Sequence, residues 1–387
     1  MNPIINSLLD NDLYKFTMMQ AVLHQFPDAE VEYKFASRNH ISYLDCIYEI
    51  NEQINHLCTL RFTPQDLLYL SGLRYIKPDF IEFLRLFQFN RDFVKVTHER
   101  SASGLSIKIK GPWLHTILFE VPILAIVSEV YSRNNNDRKT ERIDEKITER
   151  IDEKINIAKT MPKCIADFGT RRRHSFRRQN YVIGVMTYGS KNILSGTSNV
   201  FLAKRYGIKP IGTMAHEWIQ AGQGLGVRIR DSQKFMLENW VQEYRGDLGI
   251  ALTDTIGVDA FLKDFDLYFA KLYDGVRHDS GDPYEFGTKI INHYKNMGID
   301  PLTKTIVFSD GLTFPKAKEL YEVFAPAIGV AFGIGTNLTN NLVDPPQIVI
   351  KMTRCNGQPV AKISDNPEKG MCEDKEYVNY LKKVFDV

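Results

Sequence analysis

The chain has 387 residues, 43% of them hydrophobic and 25% charged, with 49 basic and 47 acidic side chains. That length exceeds what one small core needs and points to two domains, while a net charge of +2 argues against a protein that coats nucleic acid or an acidic membrane. Five scattered cysteines, Cys46, Cys58, Cys164, Cys355 and Cys372, suit neither a disulfide framework nor a zinc spacing and fit a reducing, cytoplasmic setting.

At the start, MNPIINSLLDNDLYK carries Asp10, Asp12 and Lys15 where a secretory signal needs an apolar run. VEYKFASRN reads as a strand inside a mixed region of helical and strand patterns. The most apolar stretch, GPWLHTILFEVPILAIVSEV, is interrupted by Glu120 and Pro122, so it reads as a core segment and leaves no membrane span. Residues 140–155 repeat TERIDEKI twice. Ile143, Ile147, Ile151 and Ile155 advance about 40° per step on a helix and share one broad face. The pairs Arg142–Glu145, Lys146–Glu149 and Arg150–Glu153 support an exposed structural helix.

From about residue 205 the pattern changes to short apolar runs that end in Gly, Asp or Ser: KPIGTMAH, LGIALTDT, YDGVRHDSGDP, KTIVFSDG, VAFGIGTN and QIVIK. Amphipathic stretches separate them, which predicts an α/β fold with a parallel sheet and crossover helices. Polar residues just past the strand ends suit a β/α barrel. An open doubly wound sheet also binds ligands there, so periodicity alone does not separate the two.

Those strand ends hold the chemistry. DFGTRRRHSFRRQ (167–179) packs five arginines into a loop leading to a helix. Arg171 and Arg172 stand nearest a prospective anion site, although a solvated helix face or a nucleic-acid patch remains open for this run. RHDSGDP sets Arg277 two residues from Asp279, a cation for phosphate and a carboxylate for ribose hydroxyls. VFSDG adds Asp310 and Gly311. FGIGTN adds Gly333, Gly335 and Thr336, whose amides can approach a phosphate closely. Four such loops on successive strands point to a phosphorylated sugar. GTMAHEWIQ lacks the second histidine of a zinc helix. His216 is therefore either a core histidine or a neutral imidazole that attacks a phosphoryl group, with Glu217 orienting it or taking its proton.

LLDNDLYKFTMMQAV, DFGTRRRHS, LSGTSN, GTMAHEW, GIALTD, RHDSGDP, VFSD, FGIGTNLT and CNGQPVAKISD, in this order over nearly the whole chain, resemble the nicotinate phosphoribosyltransferase family. The resemblance implies an irregular β/α barrel of the type II phosphoribosyltransferase kind over residues 136–352. It also implies an α+β N-terminal domain over 1–135, joined by the tail 353–387. The implied reaction joins nicotinate to 5-phosphoribosyl 1-pyrophosphate (PRPP) with Mg²⁺, coupled to ATP through a phosphohistidine at His216. Tyr14 resembles the aromatic that a neighbouring subunit stacks on the pyridine ring, in a homodimer with shared sites, and Phe168 closes the other face. Arg171 resembles an anchor for phosphate or carboxylate. Thr213 and Arg277 match positions lining the nicotinate and ribose site, and Asp279 a ligand of the ribose hydroxyls. Gly311, Gly333, Gly335 and Thr336 match the phosphate end. Ser198, where nicotinamide-using relatives carry aspartate, favours the acid as substrate. The implied partners are small molecules, with no nucleic acid and no membrane, and the Mg²⁺ ligands stay unassigned.

Overall fold

The computed structural model describes residues 2–39, 41–136, 150–189, 193–340, 345–366, 372 and 374–387. Its strands are β1 (Glu30–Ser37), β2 (Val94–His98), β3 (Leu105–Pro112), β4 (Ile165–Asp167), β5 (Leu194–Thr197), β6 (Ile250–Leu252), β7 (Gly275–His278), β8 (Thr305–Phe308), β9 (Gly329–Ile334), β10 (Ile348–Cys355) and β11 (Gln358–Pro359).

In β1 the alternation of Val31, Tyr33 and Phe35 buries one face, as a sheet with one covered side requires. β1 pairs antiparallel with β3 on one side and β10 on the other, in the order β11-β10-β1-β3-β2. The run QIVIK, expected among the parallel strands, therefore belongs to this antiparallel sheet. The tail does not return as one piece: β10 crosses the expected 352/353 boundary, and the last helix, Lys375–Phe385, packs Leu381 and Phe385 with Ile256 and Ala260 of the barrel half.

The second sheet is wholly parallel, in the order β5-β4-β9-β8-β7-β6. Its strands are short apolar runs, as expected for strands covered on both faces. The gap between β5 and β6 is bridged by residues 209–213. Thr197 N–H donates to Lys209 O (3.1 Å) and Ile211 N–H to Thr197 O (2.9 Å), while Thr213 Oγ1 donates to Ile250 O (3.0 Å). Pro210 offers no N–H for a ladder, so this last stave stays irregular and the sheet closes into an irregular barrel. At Gly212 (φ 156°) a Cβ would lie 3.0 Å from Tyr14 N, which brings the first helix, Leu13–Gln25, directly onto this stave.

The apolar stretch behaves as a core segment. Helix Glu120–Asn136 carries Val121, Ile123, Leu124, Ala125, Ile126 and Val127 with no exposed surface. Trp113, Trp218 and Trp240 are equally enclosed, with ring centroids 5.9 and 5.4 Å from Trp218 to its two neighbours. Of the duplicated run, residues 150–155 are helical and bury Ile151 and Ile155. Ile143, Ile147 and the first two charge pairs lie outside the described residues. None of the five cysteines is in a disulfide.

Candidate active site at the barrel rim

His216 opens the helix His216–Ala221, and two residues on, Trp218 buries its ring and donates Nε1–H to Met236 O (2.9 Å). That anchor fixes where the imidazole points. His216 Nε2 lies 2.8 Å from Asp254 Oδ1 and 2.8 Å from Lys362 Nζ, and Lys362 Nζ donates to Asp254 Oδ2 at 2.7 Å. Ser280 Oγ donates to the same carboxylate oxygen (2.5 Å), and Ser364 Oγ donates to Ser280 Oγ (3.0 Å). Burial and then the Lys362 ammonium lower the His216 pKa, with Asp254 opposing them. Burial pushes the Asp254 carboxyl up, but His216 and Lys362 together hold it well below the usual carboxylate range. The outcome is a neutral imidazole beside a permanent anion. An ammonium has only protons to give and a carboxylate only lone pairs, so one ring nitrogen serves one of them at a time. With that nitrogen's proton on Asp254, the other nitrogen presents its lone pair.

Glu217 takes no part in this. Its Oε1 accepts from Lys15 Nζ at 2.9 Å, and Lys15 also meets Glu120 at 2.5 Å. The expected role of Glu217 in orienting His216 is therefore corrected: neighbours on a helix point about 100° apart, and Asp254 orients His216 instead. Burial raises the Glu217 carboxyl to about 7 against the pull of Lys15.

Asp279 faces His216 across 3.7 Å and Arg277 across 3.6 Å, and accepts from Ser309 Oγ (2.9 Å). Burial opposes its ionisation, yet Arg277 and His216 bring its pKa down to about 2. Arg277 NH1 donates to Met214 O (3.3 Å), and its buried Nε meets no acceptor among the described residues. Thr213 stands in the same stave, with its hydroxyl committed to barrel closure.

Phe168 lies across the end of β9: a Cβ on Gly333 would fall 2.3 Å from its ring, and one on Gly335 would fall 3.0 Å from its carbonyl oxygen. The missing side chain of Gly333 is thus filled by Phe168 rather than left open for phosphate. Thr336 begins the short turn after β9. Gly311 takes φ 57° with open space around it, and Asp310 precedes it at the end of β8.

The arginine run does not form a surface stripe. Arg173 is fully buried, with two bonds to Asp10 (2.6 and 2.7 Å), and Arg172 Nε donates to Ile348 O (2.9 Å). Arg171 keeps 45% of its side chain exposed while bonding Glu120 (3.1 Å). The nucleic-acid reading of this run loses its geometry. Burial, then Arg171 and Arg38, lower the Arg172 pKa to about 10. Burial, then Arg38 and Lys362, bring Lys351 down to about 7. Arg38, Arg171, Arg172, Lys351 and Lys362 all feel the Asp279 carboxylate, so basic side chains from both sheets, Lys351 only partly charged at neutral pH, make a largely cationic wall on its side.

Tyr14 of this same chain is beside Arg171: burial raises its phenol well above the ordinary value and Arg171 opposes that. Ser198 is 3% exposed, and its Oγ donates to Asp12 Oδ1 (2.8 Å). Its hydroxyl is therefore not idle, and a carboxylate stands next to the position where its absence was expected to matter. Burial raises the Asp12 pKa, with Arg171 and Ser198 opposing.

Four residues of this constellation escaped sequence reasoning. Asp254 ends LGIALTD as Asp310 ends VFSD, so its strand-end place was a usable signal. Lys362, Lys351 and Arg38 lie in or beside the antiparallel sheet, and nothing local marks them.

Residues 164–387 match the nicotinate phosphoribosyltransferase (NAPRTase) family, and residues 9–128 match its N-terminal domain. A nicotinate phosphoribosyltransferase of Cupriavidus necator is 55% identical over 392 residues, covering 99% of each chain, and one of Xylella fastidiosa is 53% identical, covering 99% of this chain and 98% of that one. The crystal structure of nicotinate phosphoribosyltransferase from Vibrio cholerae superimposes with a TM-score of 0.94 at 42% identity, over 99% of this chain and 94% of that one. The one from Porphyromonas gingivalis gives 0.94 at 33%, over 99% and 100%. The chain belongs to the nicotinate phosphoribosyltransferase family of enzymes.

Proposed function

We propose that this chain forms nicotinate mononucleotide and pyrophosphate from nicotinate and PRPP, in NAD biosynthesis, with ATP hydrolysis coupled through phosphorylation of His216. The observation that carries this reading is His216, held by Asp254 and Lys362 and standing 3.7 Å from Asp279 among basic side chains from both sheets. The free ring nitrogen attacks the γ-phosphorus of ATP, the bond to the ADP oxygen breaks, and water later returns the group as phosphate. In glycosyl transfer the pyridine nitrogen attacks C1 of the ribose as the C1–O bond to pyrophosphate breaks. The transition state is oxocarbenium-like. Asp279 stabilises the cationic ribose and binds its hydroxyls, while Arg277, Arg171, Arg172, Arg38 and Lys351 receive the anionic groups. No strong base is required, because the pyridine nitrogen already carries a lone pair.

Donor atoms of His216, Asp254 and Asp279 lie within 4.8 Å of one another. Magnesium prefers oxygen ligands and keeps several waters, and the imidazole does not suit it. Both Asp254 oxygens are committed to His216, Lys362 and Ser280, so a hydrated ion would be held by the Asp279 carboxylate. When bound, the ion neutralises charge on the departing diphosphate. A cytoplasmic location and a homodimer with shared sites belong to this reading, supported by five cysteines outside any disulfide and by the resemblance respectively.

The test is mononucleotide formation from PRPP and Mg²⁺ with nicotinate or nicotinamide, with and without ATP. Nicotinate turnover accelerated by ATP, with the acceleration lost in His216→Ala, is expected. Preference for nicotinamide would refute the substrate, and ATP acceleration surviving in His216→Ala would refute the phosphohistidine.

A further inference from the structure

The turn after β9 does more than carry Thr336. Asn337 Nδ2 donates to both Gly311 O (3.2 Å) and Leu312 O (2.9 Å) in the loop after β8. Thr339 Oγ1 donates to Gly169 O (3.1 Å), and Asn340 Nδ2 to Arg172 O (2.8 Å), both in the loop after β4. β4, β9 and β8 are consecutive in the sheet, so five residues cross-link three adjacent rim loops. The second TERIDEKI copy adds a fourth donor from outside the barrel: buried Lys154 directs Nζ at Leu338 O (3.4 Å).

All of these donors grip backbone carbonyls. In a trans peptide the C=O and the following N–H point to opposite sides, so fixing the Gly311 and Leu312 carbonyls fixes the directions of the Leu312 and Thr313 amides. The same holds for the Gly169 carbonyl and the Thr170 amide. Gly311 sits at φ 57° with nothing within 4 Å of where a Cβ would lie, a conformation that glycine by itself holds loosely. Thr339 packs so close that a Cβ on Gly169 would meet its Oγ1 at 2.4 Å.

We propose that Asn337 and Thr339 are positioning residues: the turn 336–340 is a brace that orients the rim-loop peptides which receive the phosphate groups of PRPP, and neither side chain touches substrate. This rests on the functional reading above, in that PRPP is taken as the ligand of those loops. The brace acts on affinity for the donor, since a preorganised loop spares the ordering that a loose one must undergo on binding.

The experiment uses two near-isosteric variants of the full chain, Asn337→Leu and Thr339→Val, which remove the donors and keep the volume. Calorimetry with PRPP and Mg²⁺ needs no acceptor and reads the brace separately from the reaction. Each variant should weaken PRPP binding by about tenfold, as loss of hydrogen bonds that hold a binding loop does, with the KM for nicotinate and kcat changed less than about threefold. Wild-type PRPP affinity in both variants would overturn the brace. So would a parallel decline of kcat and of affinity for both substrates, which marks general loosening. PRPP binding that depends on the brace, without nicotinate turnover, would leave the brace standing and overturn the functional reading. No PRPP binding by the wild type would overturn both.

Discussion

At the scale of single residues, two neighbours in the chain have opposite electrostatic lives. His216 is kept neutral by burial and an ammonium, and Glu217 is a buried carboxyl whose pKa is raised to about 7. Lys15 is shared between Glu217 and Glu120, and Glu120 also holds Arg171, so Glu217 is the one that ionises with difficulty. Between the ordinary carboxylate value of 4.5 and about 7, the native protein keeps a proton on Glu217 that the unfolded chain has released. Stability from this group is thus present below pH 4.5 and lost as pH rises through 7. Glu217→Gln carries no such penalty. Its stability relative to wild type should rise by roughly 1–3 kcal/mol across that window and level off above it, as read by thermal melts at a series of pH values. A difference that stays constant with pH would refute the assignment.

Among elements, the contact of β4 with β9 decides where the Phe168 ring lies. Phe168 follows β4 and its ring occupies the space that a side chain at position 333 would need. Gly333→Ala must displace that ring, and overpacking of this kind costs about 1–3 kcal/mol. The expected result is a rise in the KM for nicotinate of roughly tenfold or more with a smaller change in PRPP affinity, measured by steady-state kinetics with each substrate varied. Equal losses for both substrates would mean that the glycine serves the phosphate end, as the sequence pattern suggested.

For the whole molecule, the open question is which chain completes which site. Tyr14 sits beside Arg171 of its own chain, and its helix is fastened to the barrel by Thr17, whose Oγ1 donates to Thr213 O (2.7 Å). The homodimer with shared sites instead requires the aromatic to come from the other subunit. Mixing Tyr14→Ala with His216→Ala after co-refolding separates the two. Shared sites restore up to about a quarter of the wild-type ATP-accelerated activity, because one site of each mixed dimer is intact, whereas sites closed within one chain recover none of that acceleration. Shared sites are the expected outcome of the functional reading, and failure of complementation would transfer the role to Tyr14 of the same chain.

Local chemistry made much of this legible. A cation and a carboxylate placed just after an apolar run name a strand end, which is how Arg277, Asp279, Asp310 and His216 stood out, and repeated strand–helix alternation named the parallel sheet. The irregular stave at 209–213 was not legible: KPIGTMAH reads as one more apolar strand run. What sequence by itself determined was therefore which loops carry charge and in what order. Only the tertiary structure decided the partners: Asp254 rather than Glu217 for His216, Asp12 for Ser198, Phe168 for Gly333, and Arg38 and Lys351 for the cationic wall. The reason is physical. Residue types and spacing fix a segment's own periodicity, but a side chain's partner depends on the direction in which the backbone turns it and on chain segments brought alongside from far away, and both are settled only when the barrel closes against the antiparallel sheet.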